Sequence, residues 1–275
     1  MRENLLYYHV FWCIIVNGRL CNRGGALTQT IVVASGKGGT GKTSITAGVG
    51  CALAELGHRC LMIDADVGMQ SLDMALGVHN FAAFDFADAA RGNIALADAA
   101  VPLADFPQAS VLAAPPELEE LAANTLRTIA RNVREMELYD FVLIDAPAGL
   151  GEGFRMAARA ADAGVIVATA DPICLRGSER TARELEACGV VNLRLVVNRV
   201  RPSLMERGLP NIDDAIDMSG AQLLGYVPED ESVIVSAAHG VPSLLTPRSR
   251  AARAYRNIAR RLVGEQVPVM KLGRR

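Results

Sequence analysis

Residues 30–44, Thr-Ile-Val-Val-Ala-Ser-Gly-Lys-Gly-Gly-Thr-Gly-Lys-Thr-Ser, decide how this chain folds. Ile31 to Ala34 is an apolar run of the kind that forms a buried strand. It breaks into Gly36-Lys37-Gly38-Gly39-Thr40-Gly41-Lys42-Thr43-Ser44, which fits the phosphate-loop spacing of glycine, four residues, then Gly-Lys-Thr. An apolar-rich stretch from Thr43 to about Leu56 predicts a helix. Strand, glycine loop and helix in that order form the context that gives the spacing its meaning. Gly36, Gly38, Gly39 and Gly41 let the backbone close on a ligand. The loop amides and the helix N-terminus then converge on one place and favour an anion such as phosphate.

The loop also concentrates an uncommon residue. Of 28 basic residues only Lys37, Lys42 and Lys271 are lysine. Two of the three therefore sit in one short loop, where a compact ammonium on a flexible stem suits a point contact to phosphate better than a planar guanidinium does.

Two further strand ends carry acids. Cys60-Leu61-Met62-Ile63-Asp64 runs into Ala65-Asp66, and Ser71 is a candidate N-cap for a short helix after it. Phe141-Val142-Leu143-Ile144-Asp145 is an apolar run ending in a carboxylate, the Walker B form, followed by Ala146-Pro147-Ala148-Gly149. Carboxylates at the C-terminal ends of parallel strands face the crevice where α/β proteins bind ligands. Asp145 suits Mg²⁺, which keeps several waters and takes few protein ligands.

Elsewhere the pattern is structural. Residues 79–108 are alanine-rich and predict short helices and turns without chemistry. Ser110 to Ala114 predicts a strand. Pro115-Pro116 is expected to open a helix reaching Glu137, with Leu118, Leu121, Ala122, Thr125, Ile129 and Val133 on its apolar face. Gly164–Thr169 and Leu193–Val197 predict buried strands with a helix over Ser178–Cys188 between them, and Leu223 to Val227 predicts a last strand. Residues 247–263 predict an amphipathic helix with Ala251, Tyr255, Ile258, Ala259 and Leu262 inward. Alternating strands and helices imply an α/β, doubly wound, mainly parallel sheet of about seven or eight strands flanked by helices.

Composition narrows the class. The chain has 275 residues, 51 % of them hydrophobic but only 5 % aromatic, so the expected core is aliphatic. A net charge of −2 gives no global attraction to nucleic acid. The six cysteines never fall as Cys-x-x-Cys and read as reduced, mostly buried thiols. Leu5 to Val16 is apolar but shorter than the ~20 residues of a membrane span. Residues 1–28 are expected to be a poorly ordered leader, a start assigned too early, or an added membrane or partner contact; 29–264 form one domain and 265–275 a short tail.

Lys-Gly-Gly-Thr-Gly-Lys-Thr, with a lysine directly after the first glycine, resembles the deviant Walker A motif of the MinD/ParA family of P-loop ATPases. The segments Asp64–Asp73, Asp145–Gly149 and Pro228-Glu229-Asp230 resemble its MinD branch, and the likeness spans roughly residues 30–245. The resemblance implies ATP as substrate and Mg²⁺ as cofactor. Gly36 to Ser44 would cradle the phosphates, Lys42 would contact the β- and γ-phosphates, and Thr43, with Asp64 nearby and Asp145, would serve the metal. Asp66 would orient the attacking water. Asn198, Arg199, Pro228, Glu229 and Asp230 would lie at the adenine. Lys37 would reach the ATP of a second subunit, so that ATP holds a homodimer and hydrolysis releases it.

The same resemblance implies septum positioning with the division inhibitor MinC, a MinE-like regulator and an anionic membrane surface as partners, in the cytoplasm with peripheral attachment. The tail Val267–Arg275 departs from a strong membrane helix: it is short, lacks phenylalanine and contains Pro268 and Gly273. Alternatives are a ParA-like or flagellar-placement ATPase using DNA or another matrix, an ATP-dependent amide-forming synthase, and an iron–sulfur carrier, the last opposed by the missing Cys-x-x-Cys. DNA is the less expected matrix, although nine basic residues and one acid from Arg248 onward form a local patch.

Overall fold

The run that opens the glycine loop becomes a central strand of an eight-stranded sheet. A computed structural model describes residues 28–67, 69–79, 81–117 and 123–271. In chain order the first half is β1 (Gln29–Ala34), α1 (Lys42–Glu55), β2 (Cys60–Asp64), α2 (Ser71–Leu76), α3 (Phe86–Arg91), α4 (Leu96–Ala99), β3 (Val101–Leu103), β4 (Phe106–Leu112), α5 (Thr125–Glu135) and β5 (Phe141–Asp145). The second half is α6 (Glu152–Arg159), β6 (Ala163–Thr169), α7 (Pro172–Ala187), β7 (Leu193–Val200), α8 (Pro202–Met205), α9 (Ile212–Ser219), β8 (Gln222–Pro228), α10 (Glu231–Ala238) and α11 (Arg250–Leu262). The strands lie in the order β3-β4-β2-β5-β1-β6-β7-β8, and all pairings are parallel except β3 with β4.

The central strands are apolar throughout because both faces are covered. Side chains alternate along a strand, so Val32 and Ala34 join Leu61, Ile63, Val142 and Ile144 beneath α3, α5, α6 and α7. Ile31 and Val33 face the other way and join Met62 and Leu143 beneath α1 and α11. Tyr255 of α11 is fully buried against the backbone of α1 at Gly48, where a Cβ would run into the ring. The chain leaves β1 towards β2 on one side and, through β5, comes back to flank β1 opposite β6. That reversal of strand order is where open α/β sheets place their ligands.

Several expectations are corrected here. The alanine-rich stretch holds more than helices and turns: β3 lies within it, β4 begins in it, and the two pair antiparallel, Val101 with Val111 and Leu103 with Phe106. Pro102 and Pro107 hide that pair by propensity, since proline in a sheet is confined to edges and irregular points. The Pro115-Pro116 segment does not open a helix through Glu117; the described helix starts at Thr125, with Thr125, Ile129 and Val133 buried as expected. Leu118, Leu121 and Ala122 lie outside the described residues.

α7 begins at Pro172 rather than Ser178, because Asp171 accepts from the Cys174 N–H at 2.9 Å and Pro172 occupies the first helical position. Ser71 is not an N-cap; Gln70 holds that place in a left-handed conformation. Thr28 packs with the domain, its hydroxyl donating to the Tyr139 carbonyl at 2.7 Å, while residues 1–27, with Cys13 and Cys21, lie outside the described residues. Cys51, Cys60 and Cys174 are buried free thiols and Cys188 is half-buried.

Candidate nucleotide site

The ends of β1, β2 and β5 and the start of α1 build one site. Leaving β1, the Ser35 hydroxyl donates to the Lys37 carbonyl at 2.7 Å and shapes the loop. Gly36 lies so near α7 that a Cβ there would stand 2.6 Å from the Gly177 carbonyl oxygen. Gly41 takes φ 92°, a left-handed conformation that a side chain resists, and begins α1 with no side-chain cap and no acid in the first turn. The orphan N–H groups of a 14-residue helix are thus left for an external acceptor at its positive end. That is a fit for a phosphate group on the geometry of the loop itself.

Thr43, Asp64 and Asp145, the residues that the resemblance puts at the metal, lie together. Asp64 and Asp145 are register partners on β2 and β5, and each is about 1 % exposed. Thr43 Oγ1 donates to Asp145 Oδ2 at 2.6 Å and lies 3.2 Å from the Ser71 hydroxyl, and Thr46 Oγ1 reaches Asp145 Oδ1 at 3.4 Å. Asp64 accepts from the N–H groups of Asp66 and Leu72, both at 2.9 Å. Burial pushes the Asp145 carboxyl up to about 7, with the Thr43 bond opposing and Asp64 adding to the rise. Burial likewise raises Asp64 to about 6 against its two N–H donors. Two buried carboxylates beside a hydroxyl are a hard-oxygen donor set that a divalent cation would relieve. Among the described residues no group of three or more His, Cys, Asp or Glu side chains makes an all-protein cage, so such a cation would share its shell with phosphate and water.

The remaining predicted residues separate into two sets. Lys42 is buried and Lys37 is exposed. Among the described residues the Lys37 ammonium has no ion pair, although its charge is felt at Asp171. Partial burial would raise Asp171, but the Thr169 hydroxyl, the Cys174 N–H and Lys37 together hold it below the usual carboxylate range. Asp66 is half-buried and its carboxylate has no partner among the described residues. Gly38, Gly39, Thr40 and Ser44 complete the loop, and Ala148 of the segment after β5 stands 3.7 Å from where a Gly38 Cβ would lie.

Asn198, expected at the adenine, is buried under the loop, where its Nδ2 donates to the Thr40 carbonyl at 2.8 Å. Arg199 beside it is exposed with φ 53°. Pro228 is buried, and Glu229 pairs with Arg201. Asp230 accepts from Ser232 N at 3.0 Å on α10 and from Ser249 Oγ, Arg250 N and Ala251 N at 2.8, 2.8 and 3.1 Å at the start of α11. Ser71, Thr46 and Asp171 were missed as neighbours of the site. The Asp171-Pro172 dipeptide is a readable helix start; nothing local marks the other two.

Residues 31–243 match the family described as the CobQ/CobB/MinD/ParA nucleotide binding domain. The septum site-determining protein MinD of Bacillus subtilis is 37 % identical over 247 residues, 89 % of this chain and 92 % of that protein. The MinC:MinD cell division protein complex of Aquifex aeolicus contains a chain that superposes with a TM-score of 0.83 at 32 % identity, covering 89 % of this chain and all of that one. The Pyrococcus horikoshii septum site-determining protein MinD complexed with Mg-ADP superposes with a TM-score of 0.77 at 28 % identity, covering 86 % of this chain and 97 % of that one.

Proposed function

Because the chain belongs to the CobQ/CobB/MinD/ParA family of nucleotide-binding domains, we propose that it is a MinD-type ATPase that positions the division septum by an ATP-dependent dimerisation cycle. The MinD assignment rests on relatives 28–37 % identical along most of both chains, whereas a ParA family ATPase from Chlorobium tepidum, at 20 % identity, shares the fold alone. One observation carries the switch: of the two lysines in the loop, Lys42 is buried at its own helix start, while Lys37 is exposed and unpaired among the described residues.

In this reading the loop amides and Lys42 would hold the β- and γ-phosphates of ATP, and Thr43 and Asp145 would hold Mg²⁺ with Asp64 beside them. The cation supplies charge neutralisation on the phosphate oxygens. The Asp66 carboxylate, unpartnered among the described residues, orients a water for in-line attack on the γ-phosphorus, so that the bond to the β–γ bridging oxygen breaks and ADP leaves. Lys37 of one subunit stabilises that charge in the other's site, a device worth roughly 10³–10⁵ in rate in other NTPases. Loss of the γ-phosphate removes what both subunits grip. Arg199 and the Pro228–Asp230 turn flank the base, with Asn198 bracing the loop below it.

MinC, as in the Aquifex complex, is the partner that the ATP-bound form would recruit, with a MinE-like regulator stimulating a slow hydrolysis. No described helix is long and apolar enough to cross a membrane. In the proposed cycle, attachment to an anionic membrane surface is peripheral, from the cytoplasmic side.

The decisive variant is Lys37→Ala. It should bind Mg-ATP about as well as the wild type, yet stay monomeric in ATP and hydrolyse at the background rate. Wild-type turnover and dimerisation by that variant would reject the cross-subunit role. Sedimentation with anionic vesicles in ATP against ADP tests the matrix, and pelleting with duplex DNA instead would move the protein to the ParA-like reading.

A further inference from the structure

Four arginines line a groove of about 620 Å³ between α5 and the end of α6, against a single carboxylate among the described residues, Asp162. Arg127, Arg131 and Arg134 follow i, i+4, i+7 spacing and so form one stripe along α5, and Arg159, the last residue of α6, faces it across the groove. Among the described residues only Arg134 is well paired, donating to both Asp162 oxygens at 2.8 and 3.0 Å, while Asp162 is fixed by the Thr30 N–H at 2.9 Å. Arg131 lies 3.8 Å from Glu135 with both side chains about two-thirds exposed, a pairing of little strength. Arg127 and Arg159 have no ion pair among the described residues.

This arrangement opposes stability. Like charges at i, i+4 on a helix repel, and the chain's net charge of −2 shows no shortage of acids with which to neutralise them. We propose that this groove docks an acidic, extended segment of a partner protein.

Geometry favours that occupant. Four helical residues rise about 6 Å, close to the roughly 6.6 Å between side chains on one face of an extended strand, so alternate carboxylates would meet Arg127 and Arg131 in turn. Among the described residues the apolar lining is Ala130, Ala160 and Ala161, with no aromatic side chain on which bases could stack, as single-stranded nucleic acid requires. The surface is a groove, whereas a bilayer is met by a flat face with apolar side chains to insert. α6 runs back from the end of β5, so Arg159 lies at the opposite end of the sheet from the glycine loop. Occupancy of the groove can therefore be read without reference to ATP hydrolysis.

The test is fluorescence anisotropy of a labelled hexaglutamate peptide with the full chain, at low and raised salt. Hexaglutamine, oligothymidylate of equal charge and anionic vesicles serve as comparison probes. The exposed pair Arg127→Glu/Arg159→Glu should weaken hexaglutamate binding about tenfold or more, and the equally charged control Arg207→Glu/Arg253→Glu should stay within about twofold. Unchanged Mg-ADP binding and circular dichroism would show that both variants fold. Equal loss in both variants, no hexaglutamate binding by the wild type, or stronger groove-dependent binding of oligothymidylate or vesicles would overturn the proposal.

Discussion

At the scale of single residues, the loop's geometry depends on a contact that its motif does not contain. Gly41 has φ 92°, and a Cβ built on it would collide with Asn198 Nδ2, the atom that donates to the Thr40 carbonyl 2.8 Å away. Gly41→Ala therefore suffers twice, from roughly 1–2 kcal/mol of left-handed strain and from displacement of Asn198. Mg-ADP affinity, measured by titration calorimetry, should fall by about tenfold or more. Gly41→Ala/Asn198→Ala should recover the collision part and leave the strain, so that the two effects are strongly non-additive. Additive losses would show instead that Asn198 acts on the nucleotide directly and not through the loop.

At the scale of elements, one carboxylate holds two helices. Asp230 caps α10 through Ser232 and α11 through Ser249, Arg250 and Ala251. Partial burial would raise its pKa, but these bonds overcome that and draw it down to about 2. A depressed carboxylate contributes stability above its ordinary value of 3.8 and loses it as pH falls from there through about 2. Asp230→Asn, which mimics the protonated acid, should lower the urea midpoint at neutral pH, and its deficit should shrink as the pH approaches 2. Asp230→Ala, which also removes the capping oxygens, should cost about 1–2 kcal/mol per helix start at neutral pH. A pH-independent deficit for Asp230→Asn would refute the capping account.

The elements that sequence reading recovered are those whose signal is local. β1, the glycine loop and β5 ending at Asp145 are each contiguous, and their chemistry requires that order. The roles of Asn198 and Asp230 were illegible because Thr40 is 158 positions from Asn198 and α11 starts some 20 positions after Asp230. β3 was lost because its sequence, Val-Pro-Leu, argues against a strand until β4 is there to pair with it. Thr43, Asp64 and Asp145 lie together because parallel strands bring their C-terminal ends to one edge of the sheet.

At the scale of the molecule, the two ends of the described chain are tied to the same sheet. Thr28 is bonded to Tyr139 just before β5. At the other end the segment after α11 returns along β8: Tyr226 OH donates to the Met270 carbonyl at 2.6 Å, and Arg261 donates to the carbonyls of Val267 and Pro268 at 3.0 and 2.9 Å. A third Arg261 bond, to the Leu224 carbonyl at 2.9 Å, anchors the guanidinium to β8 itself. The stretch to Lys271 has no helix and packs Met270 against the core. Truncation after Glu265 removes three carbonyl acceptors, each bond worth about 1 kcal/mol net, together with the Met270 contact. The expected loss is about 2–4 kcal/mol in urea unfolding, with Mg-ADP affinity within about twofold of the full chain because the bonds lie away from the glycine loop. An unchanged urea midpoint would mean that these residues are free of the domain in solution, leaving membrane contact as their remaining purpose.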